Sequence, residues 1–207
     1  MPVMRHSRDQ LIQRIAQAIE EKKVISLITF YLSDYGEMAM HLVLERLLER
    51  FERPDLLDIV YTCLKELVMN AAKAYLKRIL LTDMGLDPLN PDDYEACMAV
   101  FKQNLPEQKM RQFKPRFKEL NMPVTVTFYS EPYHALKIKI KNNFTLLPKE
   151  EERIRDKFRK ARNYQDLMEF YMEHSDATAG AGMGLSLVCI LLSQVGIDRH
   201  LFSIYSS

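Results

Sequence analysis

The sequence predicts an α+β domain, and three observations carry that reading. Helical periodicity runs through most of the 207 residues, two adjacent segments in the middle alternate like paired strands, and 47% apolar residues supply an ordinary core. Charge excludes some functions at once. With 29 Lys+Arg against 28 Asp+Glu the net charge is +1, which lacks the basic footprint of a nonspecific nucleic-acid coat. Six Gly and nine Pro exclude collagen-like and disordered classes. The longest apolar run, Val24 to Leu32, is broken by Ser26 and Thr29 and falls far short of the roughly 20 residues a membrane span requires. The stretch Met1 to Ser7 lacks the apolar segment and small-residue cleavage site of a secretory signal, so a cytoplasmic location is expected. Cys63, Cys97 and Cys189, odd in number and without a CxxC, read as buried thiols in a reducing compartment.

Each element has its own signal. Ser7 with Gln10 three residues on is a capping box, and Leu11, Ile12, Ile15, Ala16 and Ile19 follow at helical spacing to about Lys22. The β-branched and aromatic run Val24 to Leu32 predicts a buried strand. Ser33 caps a helix whose apolar positions Met40, Val43, Leu44, Leu47, Leu48 and Phe51 share one side, and Pro54 ends it. A long helix is expected from Asp55 to Leu81, with Leu56, Val60, Leu64, Leu67 and Ala71 on its core face. Asn90-Pro91 marks the cap of a helix near 92 to 103. Another follows near 107 to 120, interrupted by Pro115, and carries Lys109, Arg111, Lys114, Arg116 and Lys118; this is either a basic partner surface or a solvated face. Val124 to Tyr129 and Ala135 to Lys141 form a hairpin, the second strand turning Leu136, Ile138 and Ile140 one way and Lys137, Lys139 and Lys141 the other. A charged helical stretch from Pro148 to about His174, an apolar helix Leu185 to Val195 and a short strand Leu201 to Tyr205 complete the chain.

Two segments carry chemistry. Glu66, Asn70 and Lys73 at i, i+4 and i+7 share one helical face on the shoulder of the core stripe, where a polar row can line a pocket. Carboxylate, amide and ammonium there suit water activation, Mg²⁺ coordination and phosphate contact; the ordinary alternative is an amphipathic helix rich in good formers, Ala71-Ala72-Lys73-Ala74. Gly180-Ala181-Gly182-Met183-Gly184-Leu185 runs straight into a helix, so its backbone can approach a polyphosphate and the helix N–H groups can receive an anion. A flexible loop and helix start is the alternative, since no strand precedes it and no P-loop Lys-Ser/Thr follows.

In this order the pieces resemble a known family. Leu64-Lys65-Glu66-Leu67-Val68-Met69-Asn70-Ala71-Ala72-Lys73-Ala74 is similar to the asparagine box, and Gly180 to Leu185 to the second glycine box, of the gyrase, histidine-kinase and MutL (GHKL) ATPase superfamily. The strand from Val24, the helix from Ser33 and the asparagine-box helix in succession look more like the anti-sigma-factor serine kinases than like sensor histidine kinases. The resemblance spans roughly residues 24 to 205, with 1 to 23 an N-terminal helix and 83 to 120 a helical insertion. It implies a Bergerat-type two-layer α/β sandwich, helices covering one face of a mixed sheet. Glu66 would be the base or water-orienting carboxylate, Asn70 the Mg²⁺ ligand, Lys73 a phosphate contact, and Gly180, Gly182 and Gly184 the phosphate-side backbone. ATP and Mg²⁺ are the implied cofactors.

One motif departs. The family's first glycine box, Asp-x-Gly-x-Gly, aligns with Asn142-Asn143-Phe144-Thr145-Leu146. Asn142, standing where the family binds the adenine amino group, can accept only without charge assistance, and Phe144 and Leu146 add bulk where glycine permits close approach. The sheet is expected to stop one strand early, leaving an edge that a partner can complete. His41, in Met40-His41-Leu42-Val43, lacks the acidic neighbour of a phosphoacceptor histidine, and His174 is expected to be exposed. The expectation is a cytosolic signalling or regulatory protein with weakened or lost ATP binding, acting through a protein partner, a homodimer included, with neither specific nucleic acid nor membrane. An active Mg-ATP-dependent kinase or ATPase is the second reading, and a structural subunit docking through the inserted helices the third.

Overall fold

Local capping sets the first helices. Ser7 Oγ accepts from the Gln10 N–H at 3.3 Å while Gln10 Oε1 accepts from the Ser7 N–H at 3.0 Å, closing the box ahead of α1 (Arg8–Glu20). Its buried stripe is Leu11, Ile15 and Ile19. After β1 (Ile25–Thr29), Ser33 Oγ accepts from the Gly36 N–H at 3.4 Å and starts α2 (Asp34–Arg50). A 3-10 turn, Pro54–Leu56, leads into α3 (Leu57–Asp83), whose 27 residues run about 40 Å. This computed structural model describes residues 7–130, 135–164, 167–174 and 184–206.

The expected interruption at Pro115 splits the next segment. Asn90 Oδ1 caps α4 (Pro91–Gln103) on the Asp92 N–H at 2.9 Å, and α5 (Glu107–Gln112) and α6 (Lys114–Glu119) follow, Pro115 falling in the first turn of α6 where a missing N–H is tolerated. Then come β2 (Val124–Tyr129), β3 (Lys137–Lys141), α7 (Pro148–Ala161), α8 (Leu167–His174) and α9 (Gly184–Gln194).

The described strands form one sheet in the order β1-β2-β3, antiparallel throughout, with Leu27 opposite Val126 and Val126 opposite Ile140. A mixed sheet was expected. Here β1 pairs antiparallel with β2 across the long helical excursion and β2 pairs antiparallel with β3, so no parallel pairing arises among the described residues. Nor is β1 a buried strand. It lies at the sheet edge and turns Ser26 and Ile28 outward, Ile28 being 64% exposed. The expected strand Leu201 to Tyr205 is absent from the described structure: Asp198 Oδ1 accepts from the His200 N–H at 2.8 Å, initiates a 3-10 turn Arg199–Leu201, and the chain beyond it pairs with no strand.

Helices cover the inner sheet face. Val124, Val126 and Phe128 are buried against the α3 side chains Val68, Ala72, Tyr75, Leu76 and Ile79, with Ile138 and Ile140 packed at the margin. The outer face carries Lys137, Lys139 and Lys141 and a Ser26 to Thr127 hydroxyl contact at 3.2 Å, the half-wet arrangement that the lysine alternation predicts. Cys97, Phe101, Met110 and Phe117 of α4 to α6 belong to this same core, as do the α1 residues. A smaller cluster of Cys63, Val188 and Leu191 joins α3 to α9. No helix among the described residues is long and apolar enough to cross a membrane.

The start of α7 is fixed to α3. Glu150, with its side chain only 7% exposed, accepts from Lys77 Nζ at 2.7 Å and Arg78 Nη2 at 2.6 Å, and its Oε2 accepts from the Leu147 N–H at 3.1 Å. Tyr94 of α4 stands beside it: its hydroxyl accepts from Arg153 Nη1 at 3.1 Å, and Lys149 and Arg153 each approach its ring at 5.1 Å.

Candidate functional site

The polar row of α3 faces the start of α9. Lys73 Nζ lies 3.8 Å from Glu66 Oε1, an ion pair longer than a hydrogen bond, and each side chain keeps about a quarter of its surface exposed (25% and 27%). Gly184 rests directly on Glu66. A Cβ at position 184 would come within 2.5 Å of Glu66 Cδ and 2.8 Å of Cγ, closer than real contacts allow, so this position admits only glycine unless Glu66 moves. Two expected site residues far apart in sequence are thereby brought together. Ser186 Oγ donates to the Lys157 carbonyl at 3.4 Å and ties the first turn of α9 to α7.

Asn70, one turn from Glu66, has its Nδ2 buried with no partner among the described residues. Such an orphan fits a missing ligand or water at this amide, and the choice between its nitrogen and oxygen is itself fixed only by a partner. Gly180 and Gly182 lie outside the described residues, as does the side chain of His174.

The segment aligned with the first glycine box is laid against α3. Asn142 Nδ2 donates to the Ala71 carbonyl at 3.2 Å, leaving Oδ1 buried without a partner among the described residues. The Tyr75 hydroxyl accepts from the Asn143 N–H at 3.0 Å and also contacts Asn143 Oδ1 at 2.8 Å and the Pro123 carbonyl at 2.7 Å. Phe144 packs edge-on to Tyr75 at 5.1 Å, with the Arg78 guanidinium 4.5 Å over its ring. Its bulk goes into the core margin, whereas Leu146 adds none there; the Leu146 N–H donates to Ser206 Oγ at 3.2 Å.

A residue that sequence reasoning missed is Lys157. Burial pushes its ammonium below the usual lysine range, the nearby cations Lys77, Arg153 and Lys73 push it further, and Glu66 opposes them. The signal was present: Glu150, Arg153 and Lys157 at i, i+3 and i+7 share one face of an otherwise solvated helix. Lys73 and Lys157 therefore place two cations near the Glu66 carboxylate, with Gly184 seated on Glu66 and the Asn70 amide one turn away.

The other candidates are quiet. Burial raises the Cys63 thiol to about 12 and that of Cys189 to about 11, so neither supplies a thiolate near neutrality. His41 packs edge-on to Tyr61 at 5.2 Å, and the acid of that neighbourhood, Glu37, accepts from Lys65 Nζ at 2.8 Å and from the Tyr61 hydroxyl at 3.2 Å.

No protein-family model matches the chain, and no solved structure matches it. A protein of Treponema pallidum (strain Nichols), described only as an uncharacterized protein, is 32% identical over 191 residues. Those residues are 92% of this chain but 37% of that protein, so the chain spans little more than a third of the relative's length.

Proposed function

We propose that this chain is a cytosolic signalling or regulatory domain of the GHKL type, a two-layer sandwich whose base-binding side is closed and which acts through a protein partner. One observation carries the reading. Gly184 of the second glycine-rich segment sits on Glu66 of the asparagine-box-like helix with no room for a Cβ, which is the juxtaposition that a shared phosphate site requires of those two motifs. Lys73 and Lys157 add positive charge beside it. Weakened nucleotide binding follows from the other end, where Asn142 is engaged with the Ala71 carbonyl and Phe144 is packed on Tyr75.

The second reading is an active Mg-ATP-dependent kinase or ATPase. It is favoured by the buried unpartnered Nδ2 of Asn70, the expected Mg²⁺ ligand in its flipped orientation. Bound Mg-ATP would supply a transferable phosphoryl group and charge neutralisation for it. Glu66 would orient the attacking group, and Lys73 and Lys157 would hold phosphate oxygens. Calorimetric titration with Mg-ATP separates the two. The regulatory reading expects no saturable binding at micromolar concentrations; micromolar affinity that Asn70→Ala abolishes in a folded protein overturns it in favour of the enzyme.

A further inference from the structure

A cavity lies among the end of α7, α9 and the 3-10 turn that follows α9, and it shares no residue with the Glu66 cluster. It encloses about 180 Å³. An apolar cavity of about 150 Å³ accepts a benzene ring, so this one has room for such a ring carrying a small polar group. The apolar wall is made by Phe158 and Phe202, whose ring centroids stand 5.2 Å apart at 42°, and buried Cys189 and Ala161 complete it.

Its polar lining is two guanidinium groups and an imidazole. Arg162, Arg199 and His200 line it, and no carboxylate does. Among the described residues none of these three side chains makes a hydrogen bond or ion pair; by contrast Arg46, Arg53, Arg78, Arg116 and Arg155 each pair with an acid. The acid on the same turn, Asp198, directs Oδ1 to the His200 N–H and not to a guanidinium. The Cys189 thiol is pushed up by burial and stays neutral, so it presents an apolar surface and no competing anion.

We propose that this cavity binds a small aromatic carboxylate, its ring against Phe158 and Phe202 and its carboxylate on Arg162, Arg199 and His200. A flat ring suits the two tilted phenyl groups, and the planar guanidinium fork matches a carboxylate with two parallel hydrogen bonds. The site shares no residue with the Glu66 cluster and takes a different ligand, so it stands whether or not the chain binds nucleotide.

Benzoate titrated into the full chain and followed by amide NMR tests it. Saturable shifts centred on Phe158, Cys189 and Phe202 are expected, with neutral benzamide binding at least about tenfold more weakly, as loss of a charge-assisted contact dictates. Arg199→Gln and Arg162→Gln, both at the surface rim, should each weaken benzoate by about the same factor while leaving the remaining spectrum unchanged. Absence of saturation, equal binding of benzamide, unchanged affinity in both variants, or shifts centred elsewhere would each overturn the proposal. Phenyl phosphate is a third arm, and a clear preference for it over benzoate overturns the carboxylate assignment.

Discussion

Replacing Glu150 by Gln removes the carboxylate on which Lys77 and Arg78 converge. The three side chains are 7%, 13% and 15% exposed, so solvent screens them little. Burial alone pushes the Glu150 carboxyl up, but the Arg78 hydrogen bond, the Lys77 charge and hydrogen bond and the Leu147 N–H together outweigh it and bring the carboxyl to about 2 from 4.5. That depression corresponds to roughly 3 kcal/mol of stability at neutral pH. Breaking a buried pair by removing one partner costs about 3 to 5 kcal/mol, which agrees. The sign follows from the depressed value: the contribution is complete above pH 4.5 and is lost as pH falls from there through about 2. Urea denaturation followed by circular dichroism should therefore show Glu150→Gln less stable by about 3 kcal/mol at pH 7, with the gap to the parent narrowing below pH 4.5. A gap under about 0.5 kcal/mol at pH 7, or one that does not change with acid, refutes the reasoning.

Gly184→Ala should cost roughly 1 to 3 kcal/mol because the new methyl must displace Glu66, and Glu66→Ala in the same chain should recover most of it; additive losses in a denaturation cycle would show that the two residues do not meet. Tyr75→Phe removes the hydroxyl shared by Pro123 and Asn143 and should lower stability by about 1 to 2 kcal/mol, with faster amide exchange at Asn143 as the local readout. Lys157→Met should raise thermal stability at pH 7, by about 0.5 to 2 kcal/mol, since it removes a half-buried charge crowded by Lys77, Arg153 and Lys73. Because the Lys157 ammonium is depressed, the parent should gain on the variant as pH rises toward 10.5, where the unfolded chain holds the proton longer than the folded one.

What the sequence disclosed was whatever a few neighbouring residues decide. Ser7 with Gln10, Ser33 and Asn90 mark helix starts because a cap satisfies N–H groups within three positions of itself. Lys137, Lys139 and Lys141 disclose the wet sheet face because side chains alternate strictly along a strand. The apolar run at Val24 did not disclose that β1 is an edge, since position in a sheet is set by partners more than 90 residues away. The run Leu201 to Tyr205 has strand propensity but meets no free neighbour among the described residues, and Asp198 turns it instead. The site divides likewise. Glu66, Asn70 and Lys73 were visible as one helical face, whereas the seating of Gly184 on Glu66 and the approach of Lys157 depend on how α7 and α9 lie on α3.

Residues 83 to 120, expected from the sequence as an insertion, behave in space as a keystone. Cys97, Met110 and Phe117 have no measurable exposure, and Tyr94 receives cations from both α3 and α7. Excising this segment would strip side chains from the central core and take the Tyr94 ring from Lys77 and Arg153, so a deletion would report on folding and not on docking. Function of these helices is better read from their outer positions, Lys109, Arg111 and Lys118, changed one at a time with the inner residues kept.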